Sequence, residues 1–299
     1  MAGGARWRRG LPHSAGGLLH AERPLHRTSE GAEPHWPSAF DAAAPWNAPW
    51  RAAAQPVIDA LAGSAPLPAA LDTAAQRAGL PMRFVPQQHL PSGEAYESYI
   101  FQSRQVPVRA GLHDFFNGIC WLGMPRTKLR MNALQAAEIA AHGVGRPRGP
   151  VRDAITLLDE NGAFLFAPDA LWASLVAHDW PRTFGALRPL WAQAHLLVFG
   201  HAALEKLVRP YKSITVHVWR VPEPWPDLPT LDAHAAADLT PERLAAKPFT
   251  PLPVLGVPGW WAANEAPAFY DDAEVFRPRR RSEGRRGVVA APLSQCVGT

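Results

Sequence analysis

RPLWAQAHLLVFGHAALEKLVRPYKSITVHVWRV, residues 188–221, combines a regular apolar spacing with a dense set of polar interruptions. Leu190, Ala194, Leu197, Leu204 and Val208 recur at three, four or seven residues, the spacing that lines one face of an α-helix. It predicts a helix with His201 at the centre of its apolar stripe. That helix must stop at Arg209, because Pro210 disfavours helical backbone in the residue before it. The pattern then changes to alternation. Ile214, Val216 and Val218 share one face, and Thr215, His217, Trp219 and Val221 the other, which predicts a strand. A histidine on an apolar face needs a partner. Glu205 lies four residues on, so one helical face carries an imidazole and a carboxylate within reach of each other or of a shared ion.

Outward from this segment, residues 65–81 read as a helix with Leu67, Leu71, Ala74, Ala75 and Ala78 on one side and Gly79 past its end. LHDFFNGICWL, residues 112–122, reads as helical, with His113, Asn117 and Cys120 or Trp121 along one side. Pro125 fits the first position of a further helix, whose stripe is Leu129, Asn132, Ala136 and Ile139. ITLLDENGAFLF, residues 155–166, reads as a β-hairpin around an Asp-Glu-Asn-Gly turn. Residues 169–180 give another helix, and Thr240 caps a short one that starts at Pro241. Residues 251–272 read as a Pro/Gly-rich loop. The fold class expected is α+β, a mainly helical single domain with a small antiparallel sheet.

The 299-residue chain has a pI of about 9.4, but its positive charge lies at the ends. Residues 1–36 and 277–299 together carry +7 within a chain of +4, which leaves residues 37–276 at −3. The expected organisation is a disordered Arg/Gly-rich extension over 1–36, a globular domain over 37–276 and a basic disordered tail over 277–299. Nucleic-acid binding is therefore expected only through the tail RPRRRSEGRR. Two cysteines, Cys120 and Cys296, make no disulfide framework and point to a reducing cytoplasm. The N-terminal GGLL is too short for the apolar core of a signal peptide. No uninterrupted apolar run approaches the roughly 18 residues of a membrane span.

Four segments carry a family resemblance: LHDFFNGICWLGMPRTKLRMNALQAAEI, RDAITLLDENGAFL, LLVFGHAALEKLVRPYKSITVHVW and LPVLGVPGWWAANEAPAFYDDAEVFRP. Over about residues 81–278 the chain resembles a family of uncharacterised bacterial proteins, mostly proteobacterial, that carries a domain-of-unknown-function label. The resemblance implies a bacterial, cytoplasmic setting. It implies no activity and no catalytic residues.

Function must then be read from side chains. The sharpest candidate is a metal-assisted site of His201, Glu205, His217 and His113, with Asp114 as a ligand or as the group that orients an imidazole. Imidazole and carboxylate donors suit zinc or non-haem iron, and three protein ligands with an open position suit a hydrolase-like reaction. His113-Asp114 also fits the dipeptide of metal-dependent phosphohydrolases, but that pattern needs a second histidine upstream, for which only His89 offers itself. A metal-free alternative makes His201 or His113 a general base oriented by Glu205 or Asp114, with Lys206, Lys212 or Arg126 holding a small anionic ligand. Cys120, among Ile119, Trp121 and Leu122, reads as a buried inert thiol rather than a nucleophile. Asn132 and Tyr211 are further candidate ligand contacts. Trp260, Trp261 and Asn264 form a loop that either stacks a planar ligand or anchors to the core. Phosphate-cradling glycine loops and the G-x-S-x-G nucleophile turn are missing. The remaining class is a non-enzymatic binding or scaffold protein whose polar core residues specify packing.

Overall fold

The computed structural model describes residues 39–144 and 149–279. The expected extension over 1–36 and all but residues 277–279 of the expected basic tail lie outside them. The described chain begins with α1 (Arg51–Ala62) and α2 (Leu67–Arg77), a pair whose apolar faces bury Val57, Leu61, Leu71 and Ala75. Strands β1 (Arg83–Pro86) and β2 (Gln105–Val108) form a two-stranded parallel sheet, connected through α3 (Tyr96–Ser103).

Three helices then build the body: α4 (Leu112–Gly123), α5 (Pro125–His142) and α6 (Pro150–Asn161). Pro125 and Pro150 open the last two, at the position where the missing N–H is no loss. No side chain of its own segment caps α5. Asp232 does so from another helix, accepting from the backbone N–H groups of Arg126 at 3.0 Å and Thr127 at 2.8 Å.

A second sheet has the order β4–β3–β5–β6, built from β3 (Gly162–Phe166), β4 (His195–Val198), β5 (Thr215–Arg220) and β6 (Thr250–Pro253). β3 runs antiparallel to β4 and parallel to β5, and β5 runs antiparallel to β6. The sheet is thus mixed, where an antiparallel one is expected from the sequence. The α+β class and the helical majority hold. Further helices are α7 (Asp169–Ala177), α8 (His201–Lys206), α9 (Leu228–Asp238) and α10 (Pro241–Ala245). Thr240 caps α10 as its sequence suggests, its Oγ1 accepting from the Arg243 N–H at 3.3 Å.

Two segments depart from their sequence reading. The hairpin expected at 155–166 does not form. Val151, Ala154, Ile155 and Leu158 are all buried, at the helical spacing, so the first apolar run is the inner face of α6. Asn161-Gly162 ends that helix, and β3 finds partners far along the chain. The single helix expected over 188–208 is three elements: 3₁₀ turns over Arg188–Gln193, then β4, then the short α8. Leu197, Val198 and Phe199 are buried consecutively. What makes His195–Val198 a strand is its antiparallel pairing with Ala163–Phe166 of β3, a long-range partner that the apolar spacing does not reveal.

The C-terminal loop wraps the core, as one of its two sequence readings has it. Asn264 is buried, and its Nδ2 donates to the carbonyls of Leu255 at 2.8 Å and Val257 at 2.7 Å. Tyr270 donates to the Gly256 carbonyl at 2.8 Å, and its ring stacks on Phe184 at 4.8 Å.

Candidate metal centre

Gly200 begins the site. A Cβ built on it would stand 2.5 Å from the Asn161 nitrogen, the Glu160 oxygen and the Gly162 nitrogen, all backbone atoms. Only glycine permits that approach. The Phe199 and Gly200 N–H groups both donate to the Gly162 carbonyl, at 3.0 and 2.8 Å. The start of α8 is thereby clamped against the end of α6, and His201 comes beside Asp159 and Glu160.

His113, the second residue of α4, meets His201 from the other side. Their Nε2 atoms are 3.0 Å apart, and the rings are edge-to-face with centroids 4.4 Å apart. Behind His113, Glu205 Oε2 lies 3.1 Å from Nδ1. Behind His201, Asp159 Oδ2 lies 3.8 Å from Nδ1, a buried nitrogen with no hydrogen-bond partner. One donor atom from each of His113, Glu160 and His201 lies within 4.8 Å of the other two.

The two imidazoles differ sharply in environment. The His201 side chain is only 6% exposed against 40% for His113, and burial pushes the His201 pKa down to about 3. For His113 the hydrogen bond that Nδ1–H donates to Glu205 outweighs desolvation and raises the pKa above the ordinary imidazole value. Burial raises the Glu160 pKa. For Asp159 burial acts upward, but Lys128 and the two histidines together hold the carboxyl below its usual range.

Lys128 is itself buried. Its ammonium donates to the other Asp159 oxygen and to Asn117 Oδ1 at 2.8 Å, and sits 5.3 Å from the centre of the Trp121 ring. This is the paired condition that a buried lysine requires.

Of the residues singled out in the sequence, His113, His201 and Glu205 meet in contact. Glu205 reaches His113 and not its helix neighbour His201, because the His113 ring stands against it. His217 sits in β5 opposite Gly162, with a pKa lowered by burial and secondarily by Lys206. Among the described residues no hydrogen bond or ion pair joins it to the two histidines. Asp114 faces Arg109, accepting from its backbone N–H at 2.6 Å and from its guanidinium at 3.2 and 3.3 Å. It is bound up at the helix start, and His89 is exposed in a 3₁₀ turn, so the phosphohydrolase dipeptide is not assembled.

Asn132 Nδ2 donates to both the Glu97 carbonyl at 2.8 Å and Glu97 Oε2 at 2.7 Å, locking α5 to α3. Lys206 donates to Asn161 Oδ1 at 2.8 Å, and Lys212 pairs with Asp272 at 3.0 Å. Tyr211 is exposed. Trp260 packs on Trp46 at 6.2 Å and lines a cavity of about 880 Å³. The Cys120 thiol is buried and donates to the Phe199 carbonyl at 3.1 Å, and burial drives its pKa upward, as suits an inert thiol. Asp159, Glu160 and Lys128 are the site residues that sequence reasoning missed.

The fold and the paired histidines define an α+β domain with one buried and one partly exposed imidazole in contact, each facing a carboxylate. Over residues 82–280 the chain matches the model of the family described as Protein of unknown function (DUF3025), and it belongs to that family. No curated protein and no solved structure matches the chain. No helix of the described residues is long and apolar enough to cross a membrane.

Proposed function

We propose that His113, His201 and Glu160 hold a single divalent transition metal, zinc or iron, at a hydrolase-like centre in a cytoplasmic bacterial enzyme. The observation that carries this reading is the contact between the two Nε2 atoms at 3.0 Å. Glu205 accepts from His113 Nδ1, and the Asp159 carboxylate faces His201 Nδ1 from 3.8 Å, favouring a proton there by charge and not by a hydrogen bond. With both rings protonated on the Nδ1 side, two lone pairs face each other across this contact, and a proton or a cation between them relieves their repulsion. Ligands about 2.0–2.1 Å from a tetrahedral metal stand roughly 3.3 Å apart. The observed separation is within a few tenths of an ångström of that. Imidazoles whose far N–H faces a carboxylate are the usual arrangement behind a bound metal.

When bound, the metal would supply Lewis acidity to a water or substrate oxygen. His113, Glu160 and His201 hold it, and Glu205 and Asp159 orient the rings. Lys206, on the helix that carries His201 and Glu205, offers positive charge for a small anionic substrate. The single described cysteine, free and buried, accords with a reducing compartment.

Protein purified without an affinity tag should contain close to one equivalent of zinc or iron by elemental analysis. His201→Ala and Glu160→Gln should each lose it. Wild-type protein that neither retains metal nor takes up Co²⁺ would leave the scaffold reading standing instead.

A further inference from the structure

Asp159 divides its two oxygens between two buried partners. One accepts from Lys128, and the other faces His201 Nδ1 at 3.8 Å. The groups around the His201 ring are His113 on α4, Lys128 on α5, and Asp159 and Glu160 on α6, with Asp114 acting at longer range. Among these, Asp159 is the carboxylate nearest Nδ1, acting at 3.8 Å by its charge and not through a hydrogen bond. Lys128, fixed in turn by Asn117 and Trp121, dictates which way the Asp159 carboxylate can turn.

We propose that Asp159 is a positioning residue that fixes His201 in the Nδ1–H tautomer, leaving the Nε2 lone pair directed at His113, and that Lys128 sets the orientation of Asp159. This rests on reading Nε2 as the metal-facing atom; in the metal-free protein the same tautomer makes His201 Nε2 the acceptor and His113 Nε2–H the donor of the 3.0 Å contact between the rings.

The geometry makes Asp159→Asn a sharp perturbation. Lys128 can only donate, so it claims the amide oxygen. The amide NH₂ must then occupy the place of the second carboxylate oxygen, facing Nδ1 as a donor. A donor there demands a lone pair on Nδ1, which moves the ring proton to Nε2 and blocks the side that faces His113.

The test is long-range ¹H–¹⁵N NMR on histidine-labelled, chelator-treated full-length protein, with Co²⁺ titration in parallel. We expect the Nδ1–H tautomer in the wild type, the Nε2–H tautomer in Asp159→Asn, and Co²⁺ affinity at least ~10-fold weaker in the variant, within the range seen when such orienting groups are lost. An Nε2–H wild-type ring, or a folded Asp159→Asn chain with its tautomer unchanged, overturns the proposal. The wild-type spectrum decides the matter even if the variant fails to fold. An Nδ1–H ring in a wild type that binds no Co²⁺ removes the metal reading and leaves the positioning role. Tight Co²⁺ binding with the opposite tautomer does the reverse.

Discussion

Lowering the pH from 7 to 5 should withdraw about 2 kcal/mol of stability through His201 alone. In the unfolded chain this imidazole titrates near 6.5, whereas in the folded protein burial holds its pKa at about 3. The unfolded state therefore takes up the proton first. The contribution of the neutral buried ring is complete above about 6.5 and is lost as the pH falls toward 3. At pH 5 the unfolded ring is nearly all charged and the folded ring nearly all neutral, about 1.5 pH units below the unfolded pKa. At ~1.36 kcal/mol per unit this gives ~2 kcal/mol. His113 has the opposite sign. Its folded pKa is raised, so the stability of its pair with Glu205 is fully present below the unfolded value and is lost only as the pH rises through the folded one. Glu97 and Glu160, raised by burial, also favour the folded state on acidification. The assay is therefore a difference. Urea unfolding of chelator-treated wild type and His201→Gln, followed by tryptophan fluorescence at pH 7 and pH 5, should show the wild type losing ~2 kcal/mol more than the variant. Equal losses would refute the account of His201 as a buried neutral ring.

Two further outcomes test the scaffold around the site. Gly200→Ala places a methyl group 2.5 Å from three backbone atoms of residues 160–162; it should cost at least ~2 kcal/mol in urea unfolding and weaken Co²⁺ binding, because the same clamp positions His201 and Glu160. Asp232→Ala frees the buried Thr127 N–H and the Arg126 N–H at the start of α5; a loss of ~2 kcal/mol in the same assay is expected.

Much of the fold is legible where one physical signal acts alone. Pro125 with the stripe that follows it predicts α5, Leu67 to Ala78 predicts α2, and the alternation from Ile214 to Val218 predicts β5. Each of these segments has a single periodicity and a clear boundary residue. The reading fails where two signals compete. In DENG the turn propensity of Asn-Gly overshadows Val151, Ala154, Ile155 and Leu158, whose helical spacing was available in the sequence. In HLLVFGHAALEKLV the stripe runs on through Gly200, but the Gly200 nitrogen is bonded across to Gly162. Nothing within the segment shows that the backbone of residues 160–162 will come so close. Long-range approach of this kind is a tertiary property, and it makes Gly200 the junction between a strand and a helix.

The same competition explains the site. His201 and Glu205 were visible as a pair at helical spacing, yet the carboxylate serves a different imidazole, 92 residues away in sequence. The acid behind His201 and the third donor beside it are concealed for one reason: the Asn-Gly that follows makes Asp159 and Glu160 read as turn residues. Once α6 is recognised, Asp159 falls in its last turn beside His201, where its carboxylate is paired with a cation. Lys128, on the adjoining helix and enclosed by Asn117 and Trp121, is that cation. A lysine in an otherwise amphipathic helix carries no sequence signal that it will be buried. The signal lies in the pairing: Lys128 is buried because its ammonium has Asp159 and Asn117 to donate to.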